Sequence, residues 1–175
     1  MTASSTNNSP AALRVIDIIE GTSVDGPGLR TSVYLAGCDH HCPGCHNPQT
    51  WPRDAGRDMT VDEILRVIDI AGFNVTLSGG DPVYQAERLL PLLQAIHRRG
   101  KTVWLYTGFT YGQLLAIPAA KALLPYIEAV VDGPFVLELR DTTLPFRGSS
   151  NQRIIYPHQN EENPRQKFAN VAETS

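Results

Sequence analysis

The residues best suited to chemistry lie in one loop, residues 37–46, which holds every cysteine of the chain. The thiols of Cys38, Cys42 and Cys45 follow the spacing Cys-x3-Cys-x2-Cys, directly after a strand-like run at 31–36. Cysteine thiolates are the usual ligands of iron–sulfur clusters, and a four-iron cluster usually takes four of them. Because the chain has no fourth cysteine, a cluster bound by this cysteine loop would leave one iron open to a substrate or cofactor.

A structural zinc ion is the competing interpretation of the cysteine loop, with His40, His41 or His46 as its fourth ligand. Structural zinc sites more often combine two separated pairs of ligands, a pattern that this sequence lacks. Buried free cysteines are common, but three of them within one short loop fit core packing poorly. The loop therefore favours a cluster over zinc, and either metal over packing.

Composition narrows the class of protein. The 175 residues fit one domain that can bury its own core without disulfides. A net charge of -3 provides no basic surface for nucleic acid or for a membrane. No apolar run approaches the ~20 residues that span a bilayer, and the first dozen residues do not resemble a signal peptide. We expect a cytoplasmic protein in which clustered, odd-numbered cysteines serve metal or redox chemistry.

The elements that would position the loop recur as strand, loop and helix, a spacing that demands right-handed parallel crossovers. A closed eight-unit barrel takes ~250 residues, so this chain is too short for one. We predict an α/β fold, a partial, open β/α barrel with about five parallel strands and its chemistry at their carboxyl ends. The predicted strands are 31–36, 73–77, 102–106, 127–131 and 152–156, with a further edge strand at 13–19, and the predicted helices are 60–71, 86–99 and 111–124.

Composition and periodicity divide the chain into three segments. Residues 1–12 are polar, have little to bury and are expected to form a flexible N-terminal arm. Residues 13–156 form the predicted domain, and the polar residues 157–175 form a C-terminal tail. Within the domain, Thr60 and Glu63 have the spacing of a capping box, which would begin the first helix and contribute about 1 kcal/mol.

A second candidate site follows the predicted strand at 73–77. Gly79 and Gly80 precede Asp81 and Pro82 at the end of that strand. Two glycines alone are typical of a plain turn. Beside the cysteine loop, however, they would let the backbone approach a ligand closely.

Five blocks carry a resemblance to a known family. Together with the cysteine spacing, they resemble the anaerobic ribonucleoside-triphosphate reductase activating proteins, which are radical S-adenosylmethionine (SAM) enzymes that activate a glycyl radical enzyme. The resemblance covers about residues 16–156. Only the cysteine block is specific by itself, but the ordered set is very specific. The blocks are 24–30 (VDGPGLR), 42–48 (CPGCHNP), 78–82 (SGGDP), 131–135 (VDGPF) and 147–153 (RGSSNQR).

The resemblance implies a barrel of the radical SAM type and a role for each block. The three cysteines would ligate a [4Fe-4S] cluster, and its open iron would chelate SAM. Asp25 would lie near the cofactor and the incoming substrate glycine, with a catalytic role. The implied cofactor-binding residues are Gly44, Cys45, His46, Gly79, Gly80 and Asp81, the last helping to neutralise the amino group of SAM. Related enzymes commonly carry an aromatic residue where Gly44 stands, so the adenine contact is left open.

The partner implied is the large catalytic subunit of anaerobic ribonucleotide reductase, with a one-electron donor such as flavodoxin. Alternatives stay open at this point: activation of pyruvate formate-lyase or another radical SAM reaction, or a non-catalytic zinc-binding module. Larger activases often carry a cysteine-rich insert, which is absent here. Thr107, Asp132 and the segment 147–153 are equally consistent with contacts to SAM or partner and with ordinary turns and solvated arginines.

Overall fold

The structure is a computed structural model that describes residues 12–158. Its framework is a single sheet whose strands are β1 (Leu13–Thr22), β2 (Arg30–Leu35), β3 (Arg57–Met59), β4 (Asn74–Gly79), β5 (Val103–Tyr106), β6 (Ala129–Asp132) and β7 (Arg153–Ile155). The helices are α1 (Val61–Ala71), α2 (Ala86–Arg98), α3 (Tyr111–Ala116) and α4 (Pro118–Lys121). The predicted arm and tail lie outside the described residues, apart from Ala12, Pro157 and His158.

The sheet has seven strands in the order β3-β1-β2-β4-β5-β6-β7, and its central four, β2, β4, β5 and β6, are parallel neighbours. Helices lie on the connections between them: α1 precedes β4, α2 precedes β5, and α3 and α4 precede β6. The predicted mixed α/β fold with strand, loop and helix repeats is therefore confirmed. Parallel strands require such crossovers, because a short turn cannot return the chain to the same end of the sheet.

The prediction of about five parallel strands is wrong by one. The fifth strand is β7, and it runs antiparallel to β6. The connecting segment 133–152 contains no crossover helix and folds back on its own start, since Gln152 Nε2 donates to Gly133 O at 3.0 Å. Four parallel strands are thus flanked by antiparallel pairs on both sides.

The predicted edge strand at 13–19 exists but is not the edge. It extends to Thr22 as β1, runs antiparallel to β2, and its first three residues also pair with β3. The sequence analysis missed β3 because three residues, of which only Met59 is buried, carry no readable alternation.

Two helix boundaries follow directly from local chemistry. Thr60 Oγ1 accepts a hydrogen bond from Glu63 N, and Glu63 Oε2 accepts one from Thr60 N at 2.7 Å, which confirms the predicted capping box of α1. The predicted helix at 111–124 instead divides into α3 and α4 at Ile117. Ile117 is extended because Pro118 disfavours the helical conformation of the residue before it.

The two faces of the sheet differ in chemistry because side chains alternate along each strand. One face packs Val33, Leu77 and Leu105 against the helices in the main apolar core. The other face carries Tyr34 and Tyr106 on the paired central strands, and on it Trp104 packs beneath a smaller cluster of aromatic residues. We call this second side the site face. No helix within residues 12–158 has the length and apolar character that crossing a membrane requires.

Candidate functional site

A cavity of about 500 Å³ lies on the site face, at the carboxyl ends of the parallel strands. Its walls include a residue within one position of the carboxyl end of each of these strands: Tyr34, Gly79, Tyr106 and Gly133. The volume is within the range typical of small-molecule pockets, about 300–1,000 Å³. The position is the one that parallel α/β architecture predicts for a functional site.

All three cysteines line this cavity. The chain enters the cysteine loop from β2, and Gly37 N and Cys38 N donate to Thr50 O and Trp51 O at 2.8 and 3.0 Å. These bonds hold Cys38 in the protein wall with 7% of its surface exposed. Burial raises the pKa of the Cys38 thiol to about 11, so binding a metal there must displace a proton at neutral pH.

The chemistry of the donor set fits a four-iron cluster. Such a cluster takes each thiolate on a separate iron, so its ligands need to share one cavity without converging on a single ion. The three thiols do share one cavity. Within residues 12–158, no three His, Cys, Asp or Glu side chains are grouped around one metal-ion position.

Gly79 and Gly80 line the cavity, but close backbone packing also explains why glycine stands at both positions. A Cβ on Gly79 would lie 2.5 Å from Leu35 O, and one on Gly80 would lie 2.5 Å from Gly37 O. These contacts belong to the end of β2 and the start of the cysteine loop. The loop after β4 therefore packs directly on the cysteine loop, and contact of these glycines with a cofactor stays a prediction.

Asp81 is fully buried, and its carboxylate accepts four hydrogen bonds. Oδ1 accepts from Val83 N at 3.0 Å, while Oδ2 accepts from Thr107 Oγ1 and Gly108 N, both at 2.9 Å. His40 Nε2 lies 2.8 Å from Oδ2, and it must be the donor because a carboxylate only accepts. The carboxylate faces these loops and is not part of the cavity wall, so direct contact with SAM is a prediction that this geometry does not support.

Asp25 does line the cavity. Its Oδ2 accepts hydrogen bonds from Ser32 Oγ and Tyr34 OH, both at 2.7 Å, and its carbonyl oxygen accepts from Thr76 Oγ1 at 2.7 Å. Burial, reinforced by the bond to Asp25, raises the pKa of the Tyr34 phenol, which therefore stays a donor. Strand β2 thus fixes the orientation of this carboxylate, and β4 holds the main chain of Asp25.

Comparison with known proteins identifies the family. Residues 24–155 match a family described as a 4Fe-4S single cluster domain. Relatives named anaerobic ribonucleoside-triphosphate reductase-activating protein occur in Salmonella typhimurium (39% identical over 141 residues), Vibrio cholerae (39% over 142) and Escherichia coli K12 (38% over 141). Each alignment covers 75% of this chain and 90% of the relative. The chain belongs to this family of activating proteins.

Membership in the activating-protein family confirms the resemblance drawn from the five sequence blocks. The matched 4Fe-4S domain spans the cysteine loop and supports an iron–sulfur cluster as its metal group. Among solved structures, QueE from Escherichia coli is similar, with a TM-score of 0.49 and 20% identity over 57% of this chain and 54% of that one.

Gly44 and His46 lie where the cysteine loop meets the segment 133–152. The His46 ring packs against Phe135, with 5.2 Å between centroids, and His46 lines the cavity. Gly44 has a φ of 73°, and a Cβ there would lie 2.8 Å from Leu137 Cδ1. In this chain, Leu137 occupies the space beside Gly44.

The residues whose roles were left open divide into two groups. Thr107 lines the cavity and donates to Asp81, whereas Asp132 accepts from Tyr111 N at 2.7 Å and pairs with Arg153. In the segment 147–153, the side-chain oxygen of Gln152 accepts from Gly148 N at 2.8 Å. That segment closes the long loop after β6 on itself, and its Gly148 and Gln152 also line the cavity, so contact with a ligand there stays a prediction.

Sequence reasoning missed Tyr34 and Tyr106, which both line the cavity. The Tyr106 hydroxyl is buried and has no hydrogen-bond partner among the described residues. Ser32 and Tyr34, two residues apart in a predicted buried strand, were the available signal, since alternate residues share a face.

Proposed function

We propose that this chain activates an anaerobic ribonucleoside-triphosphate reductase by creating a glycyl radical on its large catalytic subunit. A [4Fe-4S] cluster and SAM, when bound, would supply the chemistry, namely one-electron reductive cleavage of SAM to methionine and a 5′-deoxyadenosyl radical that would take a hydrogen atom from one glycine Cα of the reductase. The observation that carries the proposal is the single cavity lined by all three cysteines, in a chain whose relatives are named as activators of this reductase.

The cysteine loop would hold the cluster. Cys38, Cys42 and Cys45 would each ligate one iron as thiolates, and the chain supplies no fourth cysteine. The buried position of Cys38 keeps water from one side of the site. Burial and hydrogen bonding around the ligands are among the terms that set a cluster's potential.

The walls beside the cysteines would hold SAM. Gly79 and Gly80 contribute main-chain surface to the cavity, which Cys45 and His46 also line. Main-chain groups without side chains allow a ligand to approach closely. Gly44 is not part of the cavity wall and would act through how the cysteine loop packs against Leu137, and the role of Asp81 is developed in the next subsection.

Asp25 would face the incoming glycine. Its carboxylate lies in the cavity wall, and two hydroxyl donors occupy Oδ2. Oδ1 has no hydrogen-bond partner among residues 12–158 and could accept one from a bound group. Because Ser32 and Tyr34 stand on β2, which also leads into the cysteine loop, Asp25 and the cysteines would keep a fixed relation.

The sheet supports a partial barrel of the radical SAM type formed by residues 13–156. Its outermost strands, β3 and β7, pair with different neighbours and not with each other, so the sheet stays open. An open side would admit a segment of a protein partner to the cavity. The cytoplasm is the compartment we propose, with flavodoxin or a similar protein as electron donor.

The test combines metal analysis with electron paramagnetic resonance (EPR). After anaerobic reconstitution, the chain should hold four irons and four sulfides, and with SAM, a reductant and the reductase it should generate a glycyl-radical signal. Replacing any one cysteine of the loop by alanine should abolish SAM cleavage. His41→Ala is the matched control, because His41 is in the same loop but does not line the cavity.

The alternatives predict different results. A colourless protein that binds one zinc ion would identify the non-catalytic zinc module. A glycyl radical formed on pyruvate formate-lyase and not on the reductase would overturn the choice of partner.

A further inference from the structure

The buried carboxylate of Asp81 bonds to three loops at the carboxyl ends of the parallel strands. The four donors to Asp81 come from the cysteine loop (His40), from the loop after β4 (Val83) and from the loop after β5 (Thr107 and Gly108). Hydrogen bonds to an ionised carboxylate are shorter and stronger than bonds between neutral groups. Since the side chain is fully buried, water cannot replace any donor that is lost.

The bond to His40 connects Asp81 to the cysteine loop, because His40 lies between Cys38 and Cys42 in the sequence. Its ring packs edge-on against Phe109, with 4.6 Å between centroids, and also contacts Tyr84. Gly108 provides the space, since a Cβ there would lie 2.5 Å from His40 Cδ2. Gly108 and Phe109 of the loop after β5 thus pack closely around the His40 ring.

The contacts of His40 hold the middle of the cysteine loop, whereas backbone hydrogen bonds tie its first residues to another segment and close its last residues into a turn. Gly37 and Cys38 are held by the main chain of residues 50 and 51, and Cys45 N donates to Cys42 O at 3.1 Å. Between these anchors, the bond from His40 to Asp81 links the cysteine loop to the loop after β4, beside an exposed ion pair between Asp39 and Arg53. Loss of this link would leave Cys38 and Cys42 joined by a less restrained segment.

We infer that Asp81 is a positioning residue that holds the cysteine loop in its ligating arrangement through His40, and that it does not contact SAM. The inference rests on the proposed function, since it assigns the loop to a cluster. It also accounts for the acidic residue after the two glycines: an anion is needed where four donors meet.

Four single variants test this link. Asp81→Asn keeps the shape of the side chain, but its single oxygen cannot accept from both Val83 N and Gly108 N, which bond to opposite oxygens. His40→Phe keeps the ring and loses the donor, whereas His40→Gln keeps a donor nitrogen and loses the ring. Asp132→Asn is the matched control: Asp132 is likewise a buried carboxylate at a strand end, but its partners are Tyr111 and Arg153.

The first measurement uses the reduced, metal-free, full-length chain. Iodoacetamide labelling followed by peptide mass spectrometry gives an alkylation rate for Cys38 at one fixed pH. We expect Asp81→Asn and His40→Phe to raise this rate about tenfold, and His40→Gln and Asp132→Asn to stay within about twofold of wild type. His40→Phe is the deciding variant, because it retains the Asp81 charge and so separates loop position from electrostatic effects on the thiol.

The second measurement uses the reconstituted protein. The EPR spectrum and the reduction potential of the reduced cluster should change in Asp81→Asn and His40→Phe, and should be unchanged in Asp132→Asn even if that variant melts earlier. If Asp81→Asn does not fold, the two His40 variants carry the comparison.

Two outcomes would overturn the inference. One is wild-type labelling and an unchanged EPR spectrum in both Asp81→Asn and His40→Phe. The other is weaker SAM binding in Asp81→Asn with labelling and spectrum unchanged, which would indicate direct contact. If wild type itself takes up no iron, the proposed function fails, yet the labelling comparison still decides whether Asp81 positions the loop.

Discussion

Gly79→Ala tests whether the glycine after β4 serves backbone packing or ligand approach. Gly79 has a φ of 106° and pairs with Leu35 at the end of β2. An added Cβ would lie 2.5 Å from Leu35 O and 2.8 Å from Tyr34 C, and closer still to Leu35 N. These are backbone atoms, so relief requires the end of β2 to move, and the cysteine loop begins two residues later.

Gly133→Ala supplies the matched comparison. Gly133 follows β6, has a φ of 95°, and an added Cβ there would find only Asn151 Nδ2, at 3.9 Å. Both alanines carry the cost of a positive φ, about 1–2 kcal/mol. Gly79→Ala adds the cost of overpacking, about 1–3 kcal/mol. The free energy of unfolding should therefore fall by about 1–3 kcal/mol more in Gly79→Ala than in Gly133→Ala.

The assay is thermal unfolding of the metal-free chain, followed by circular dichroism. For a chain of this length, 1 kcal/mol corresponds to about 2–4 °C, so Gly79→Ala should melt about 2–12 °C below Gly133→Ala. Iron uptake should also fall in Gly79→Ala, because β2 carries the cysteine loop. Equal melting temperatures would refute the packing argument and leave close approach of a ligand as the reason for the glycine.

The remaining predictions concern stability. Tyr106→Phe removes a buried hydroxyl without a partner among the described residues, so thermal unfolding should show unchanged stability or a gain of up to about 1 kcal/mol. Burial raises the pKa of the Tyr106 phenol above its ordinary value, so the phenol deprotonates at a lower pH in the unfolded chain than in the folded one. Above pH ~10 the free energy of unfolding should therefore fall, by up to about 1.4 kcal/mol per pH unit for this group. Urea denaturation of Tyr106→Phe should show a shallower fall. Thr60→Ala breaks the α1 capping box and should lower the free energy of unfolding by about 1 kcal/mol in urea denaturation. Thr110→Ala breaks the corresponding box in α3 and should lower it by a similar amount. Unchanged stability in both variants would contradict the capping geometry.

Local features of the fold could be predicted because they depend on neighbours in the sequence. The capping box at Thr60 was predicted because it needs only a residue three positions away. The break before Pro118 was not predicted, although it too follows from the ring of a neighbouring residue. The central strands and the crossover helices were predicted from periodicity for the same reason. The direction of β7 was not, since it depends on the bond from Gln152 to Gly133 across a long loop.

The features of the candidate site also divide into those that the sequence determines and those that the tertiary structure determines. The sequence by itself determined where the three thiols lie and that no fourth exists, because spacing along the chain is a property of the chain alone. Only the tertiary structure decided what surrounds them. Asp81 is bonded to residues 41 and 26 positions away, and Gly79 is constrained by a strand 44 residues earlier. Contacts between distant segments follow from how strands pair and loops pack, and local sequence patterns do not contain that information.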